Sequence, residues 1–138
     1  FGEEIKSMAE KNIEFVGELT DVERQELMAN AKAYIFASFD EDFGITPVEA
    51  MAAGTPVIAY RSGGVRETVI DPTTASGQVA TGIFFDENTP EAINLTVEKF
   101  EKIKISPDAC RKQAQKFSPE IFDKGILNFL DSHGLKTD

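Results

Sequence analysis

Short apolar runs alternate along this chain with longer stretches of helical periodicity. Ala33-Tyr34-Ile35-Phe36-Ala37 is nearly continuous in apolar residues. Pro56-Val57-Ile58-Ala59-Tyr60 and Gly82-Ile83-Phe84-Phe85 have the same character. Runs of this length read as strands, and the first as a strand covered on both faces. Ile13-Glu14-Phe15-Val16, ending on Gly17, predicts one more. Helices are expected over residues 3–11, 20–31, 47–53, 65–70, 90–103, 107–117 and 119–132. Thr20 with Glu23 three residues on has the form of a capping box, ahead of Leu27, Met28 and Ala31 at helical spacing. Pro47 suits a first turn, and Gly54 stands where a left-handed C-terminal residue is wanted. Gly63-Gly64 and residues 71–81 read as loops. Strands in alternation with helices predict an α/β fold, a Rossmann-like parallel sheet with helices on its faces. About four strands is few for such a domain.

The chemistry concentrates between the Ala33 strand and the helix expected at Pro47. Glu41 and Glu49 stand eight positions apart around Phe43-Gly44, a tight turn. The first N–H groups of a helix lack internal partners, and the helix dipole favours an anion there, so this turn suits a phosphate. Phe43, Gly44, Ile45 and Thr46 would present those N–H groups, with Gly44 permitting close approach for want of a Cβ. The Thr46 hydroxyl either adds a donor or caps the helix. A carboxylate beside a phosphate repels it, so Glu41 and Glu49 are better suited to hydroxyls, as on a sugar and a ribose. The plainer readings are a helix-start acid for Glu49 and a solvated loop acid for Glu41, beside the unassigned Asp40 and Asp42.

Composition narrows the partners. The 138 residues are 41% hydrophobic and 28% charged, as in an ordinary single globular domain. A formal charge of −10 argues against nucleic acid and against an electrostatic grip on an anionic membrane. A single cysteine, Cys110, excludes an internal disulfide and fits a reducing, cytoplasmic setting. No apolar run approaches the roughly 18 residues of a membrane span. No His/Cys/Asp cluster has metal-ligand spacing, and no G-x-S-x-G nucleophile motif is present. His133 and Cys110, in terminal helices, are not expected in catalysis. Tyr34 and the phenylalanines read as core. The start at Phe1, with no initiator Met, predicts a fragment of a longer protein.

The stretch Glu41-Asp42-Phe43-Gly44, with Glu49-Ala50-Met51-Ala52, Gly54 and Pro56-Val57 following, resembles the E-x7-E motif of retaining, GT-B-fold glycosyltransferases of the family 4 type. The variant around Asp42-Phe43-Gly44-Ile45-Thr46-Pro47-Val48-Glu49 is most similar to polysaccharide mannosyltransferases. Glu41 attached to F-G and A-M-A-x-G-x-P-V is a specific signal, and the resemblance extends more weakly over the whole chain. It implies that residues 1–138 are the donor-binding C-terminal domain. Two strand–helix units with a basic pair would precede it, as would an N-terminal domain that binds a glycan or lipid-linked acceptor. Glu49 would then hydrogen-bond the ribose, Glu41 would face the donor sugar, and Gly63 and Gly64 would border the donor pocket. Gly17 and Glu18 lie at the edge where the base is usually held. Glu67 is expected to pair with Arg61 or Arg66. The implied reaction is hexosyl transfer from a nucleoside diphosphate sugar, GDP-mannose first and UDP-sugars second, with no metal or other cofactor. The remaining alternative is a nucleotide-binding GT-B-like subunit without catalysis. Such proteins tend to lose one glutamate or the F-G turn, and all are intact here.

Overall fold

A computed structural model describes residues 2–73 and 77–135. Three parallel strands form one sheet in the order β1 (Tyr34–Phe36), β2 (Val57–Tyr60), β3 (Gly82–Phe85). Tyr34 pairs with Val57, and Val57 in turn with Gly82, so the three strands start in step. Around them lie α1 (Gly2–Met8), α2 (Asp21–Asn30), α3 (Ile45–Ala53), α4 (Val65–Thr68), α5 (Pro90–Phe100), α6 (Pro107–Ala114) and α7 (Pro119–Ser132). The expected α/β architecture with a parallel sheet is present.

Successive strand residues point to opposite faces, and the two faces carry different helices. Val57, Ala59 and Phe84 pack on one side with Met51, Val65, Val69, Cys110 and Ala114. Ile58, Ile83 and Phe85 pack on the other with Ile93, Val97, Phe100 and Ile103. Each fully buried aliphatic side chain here contributes roughly 1.5–3 kcal/mol of transfer free energy. The second face is closed by α5, which packs on β3 and β2. Over β1 that face is not sealed among the described residues, and Ile35 is 49% exposed. The expectation that this strand is covered on both faces is therefore corrected: it is sandwiched on the α3 side only.

Residues 13–17 are not a strand. Ile13, Phe15 and Val16 are exposed, and no strand lies beside them among the described residues. Several phenylalanines expected in the core, Phe15, Phe39, Phe43, Phe122 and Phe129, are also exposed, while Phe84 and Phe85 are buried. The amphipathic α7 has no buried residue.

Gly54 closes α3 with φ 96°, as its position in the sequence predicts. Arg111 lies against it and donates to Ala53 O at 3.4 Å, which satisfies a carbonyl left over at the helix end. Burial raises the Cys110 thiol pKa to about 11, leaving it protonated and inert inside the α6 contact.

Candidate functional site

The loops that leave β1 and β2 both emerge at the carboxyl edge of the sheet, where open α/β sheets place their ligands. The first carries Asp40 to Gly44 and the second carries Ser62 to Gly64. They are fastened to each other. Asp40 holds a φ of 51°, unusual for a residue with a Cβ. Its N–H donates to Ser62 Oγ at 3.2 Å, and Ser62 Oγ donates to Asp40 Oδ1 at 2.8 Å. Gly64 N–H donates to Glu41 O at 2.8 Å. A Cβ on Gly63 would lie 2.2 Å from Glu41 O, and one on Gly64 would lie 2.3 Å from Asp42 O. Both glycines are thus required for backbone to meet backbone under the acidic loop.

Gly44 turns the chain into α3. It adopts φ 79° and ψ 65° and is the N-cap, with no side chain capping the helix. A Cβ there would sit 2.8 Å from Val65 Cγ1, so space as well as conformation selects glycine. The helix begins at Ile45, two residues before the Pro47 start expected from sequence. Thr46 is consequently the second helical residue and not the cap, which corrects one of its two expected roles. Pro47 is the third, and it has no N–H to leave unpaired. The donors that a helix leaves without an internal partner at its start are here those of Gly44, Ile45 and Thr46, none of which has a backbone acceptor among the described residues.

Glu49 stands in the second turn of α3 and faces two hollows. One is a cleft of about 700 Å³ between α3 and the start of α7, lined by Phe43, Ile45, Val48, Glu49, Lys116 and Phe117 among others. Phe43 and Phe117 meet edge to face there, with ring centroids 5.6 Å apart. The other, of about 320 Å³, lies between α2 and α3 and includes Arg24, Met28 and Glu49. Arg24 Nη2 approaches Glu49 Oε1 at 3.4 Å, while Glu49 Oε2 is buried without a hydrogen-bond partner among the described residues. Sequence reasoning missed Arg24, because a contact across 25 positions leaves no trace in local spacing.

The structure therefore brings Phe43, Ile45 and Glu49 to one cleft. Glu41 lies outside that lining, exposed, and accepts from Ser38 Oγ at 3.3 Å. Gly63 and Gly64 gather beneath Glu41. Arg61, expected as a partner of Glu67, is engaged elsewhere. Its Nε bonds Asp86 Oδ1 at 2.6 Å, its Nη2 lies 3.5 Å from Asp71 Oδ2, and its guanidinium stacks 4.6 Å over the Phe84 ring. Glu67 and Arg66 are both exposed. Among the described residues, no group of three or more His, Cys, Asp or Glu is arranged to hold a metal ion, and no helix is long and apolar enough to cross a membrane.

A parallel α/β sheet with a glycine-capped helix start at its carboxyl edge is the arrangement in which open α/β folds seat their ligands. The family model described as glycosyl transferases group 1 matches residues 4–117, and the chain belongs to that family. It is similar to the alpha-1,3/1,6-mannosyltransferase ALG2 of Eremothecium gossypii, 26% identical over 126 residues, or 91% of this chain and 24% of that protein. The ALG2 of Dictyostelium discoideum is 42% identical over 65 residues, 47% of this chain and 16% of that one. A glycogen synthase of Ralstonia nicotianae is 36% identical over 87 residues, 62% of this chain and 16% of its own length. The chain thus spans about a quarter of the length of the Eremothecium mannosyltransferase.

Proposed function

We propose that the protein carrying this chain is a retaining hexosyltransferase, and that residues 1–138 are its donor-binding domain. The observation that carries this reading is the N-terminus of α3. Gly44 opens it, Gly44, Ile45 and Thr46 offer free N–H groups, and Glu49 waits one turn further on. The N–H groups suit a diphosphate, whose negative charge grows as it leaves an oxocarbenium-like sugar. Glu49 takes the ribose hydroxyls. Glu41, on the loop pinned by Gly63 and Gly64, orients the donor sugar. The donor is GDP-mannose, in keeping with the relatives named as mannosyltransferases. A glycan or lipid-linked acceptor is held by a separate N-terminal domain, at the cytoplasmic side, and no metal takes part. A second reading is a UDP-linked or other hexose donor, favoured by the similarity to a glycogen synthase.

Calorimetric titration of the full-length protein with GDP, UDP, ADP and GDP-mannose tests the assignment. Preferred GDP binding, weakened about tenfold or more in Glu49→Ala, is the expected result. Glu41→Ala should lower turnover by about a hundredfold or more while leaving GDP affinity within about twofold. Small, equal effects of both substitutions would overturn this division of roles. A UDP preference would replace the donor, and a folded protein that binds no nucleotide would be a partner subunit without catalysis.

A further inference from the structure

Glu49 is held from one side only. Its Oε1 lies 3.4 Å from Arg24 Nη2, whereas Oε2 is buried and has no hydrogen-bond partner among the described residues. The side chain as a whole stays 36% exposed, so a ribose hydroxyl can donate to the carboxylate from its open side. Arg24 is itself anchored before it reaches Glu49. Its Nη2 also lies 3.0 Å from Asp21 Oδ1, one turn earlier on α2. The start of α2 is locked by a capping box in which Glu23 N–H donates to Thr20 Oγ1 and Thr20 N–H donates to Glu23 Oε2. Asp21, Arg24 and Glu49 form a chain of alternating charge running from α2 to α3.

The charges argue the same way. Glu49 sits near a helix start suited to a diphosphate, in a chain of net charge −10. An uncompensated carboxylate there would repel the anion. Among the described residues, the ion pair that offsets it comes from Arg24.

We propose that Arg24 is a positioning residue for nucleotide binding, acting through Glu49. It holds Oε1 and fixes the direction of the carboxylate, so that the exposed side of the group is set to accept from a ribose hydroxyl. This inference rests on the assignment of Glu49 to the ribose. Arg24 touches no part of the nucleotide.

The test is a double-mutant cycle on the full-length protein, read by calorimetry with GDP and 2′,3′-dideoxy-GDP, and in parallel with UDP and 2′,3′-dideoxy-UDP. The expected result is that Arg24→Ala weakens binding of the preferred diphosphate about fivefold. It should also narrow the preference over the dideoxy form. In the Glu49→Ala background, Arg24→Ala should add nothing, since the interaction it supports is already gone. Arg24→Lys, which keeps the charge, should stay within about twofold of the parent. It serves as the reading if the alanine variant melts early. A fivefold loss that persists in the Glu49→Ala background would overturn the proposal, as would no loss at all. Tighter binding in Arg24→Ala would overturn it too, because Arg24 would then be competing with the ribose for the carboxylate. If the parent protein fails to distinguish the ribose forms, or binds neither diphosphate, the Glu49 assignment falls first and this inference with it. If discrimination is present, vanishes in Glu49→Ala and survives Arg24→Ala, only the role of Arg24 is overturned.

Discussion

Gly64 shows how a residue without a side chain shapes the acidic loop. Its φ of −67° is open to any amino acid, so conformational freedom is not why glycine stands there. The reason is contact: a Cβ would meet Asp42 O at 2.3 Å and Phe43 Cα at 2.6 Å, both backbone atoms with little room to give. We expect Gly64→Ala to destabilise the protein by about 1–3 kcal/mol in urea unfolding. It should also weaken nucleoside diphosphate binding, because the loop it displaces leads into Gly44. Gly125, in α7, has open space around its Cβ position, and Gly125→Ala should instead stabilise by about 0.5–1 kcal/mol. The two substitutions share one chemistry, so opposite signs would locate the effect in the loop contact. The glycine pair and both glutamates are visible in the sequence as a motif. That Gly63 and Gly64 lie beneath Glu41 and Asp42 is not, because the contact joins loops about twenty positions apart through backbone atoms.

The elements follow local rules where those rules are complete in themselves. The Thr20–Glu23 capping box forms as its spacing predicts, and α2 starts at Asp21. Thr20→Ala should cost about 1 kcal/mol and lower the melting temperature by roughly 3–5 °C, measured by circular dichroism. An unchanged melting temperature would show that packing on α3 alone holds the start of α2. Local rules fail where an element needs a neighbour. Residues 13–17 carry a strand pattern, yet a strand exists only as one side of a ladder, and no second strand stands beside them among the described residues. Ile35 is exposed for a related reason, since α5 packs chiefly on β3 and β2. α3 starts earlier than Pro47 predicts, because Gly44 turns the chain and the proline is equally comfortable two positions further in.

For the molecule as a whole, the network around Asp71 joins parts that sequence keeps apart. Asp71 is 1% exposed. Burial pushes its carboxyl pKa up. The hydroxyl and N–H of Thr73, the N–H of Phe84 and the Arg61 guanidinium outweigh that, and together they hold it below the usual carboxylate range. A depressed folded pKa means that the unfolded chain takes up the proton first. The stabilisation is therefore complete above about pH 4, the ordinary aspartate value, and is lost as pH falls through the lower folded value. Asp71→Asn should lower stability at neutral pH by about 2–4 kcal/mol, since Arg61 and Phe84 N–H lose an ionised acceptor. Urea midpoints taken from pH 7 down to pH 2 should show the parent losing more than the variant below about pH 4. Parallel curves would remove Asp71 from the account of acid stability.

By itself the sequence determined the class of fold, the parallel sheet, the tight turn at Phe43-Gly44 and the family, because periodicity, turn residues and a contiguous motif are local properties of the chain. The tertiary structure alone decided what faces Glu49, what lies under Glu41 and whom Arg61 serves. Each of these is a meeting of groups that are distant in sequence, on elements whose separation and angle are set by packing. Charge and hydrogen-bond geometry act over a few ångströms, and only the folded chain says which residues come that close.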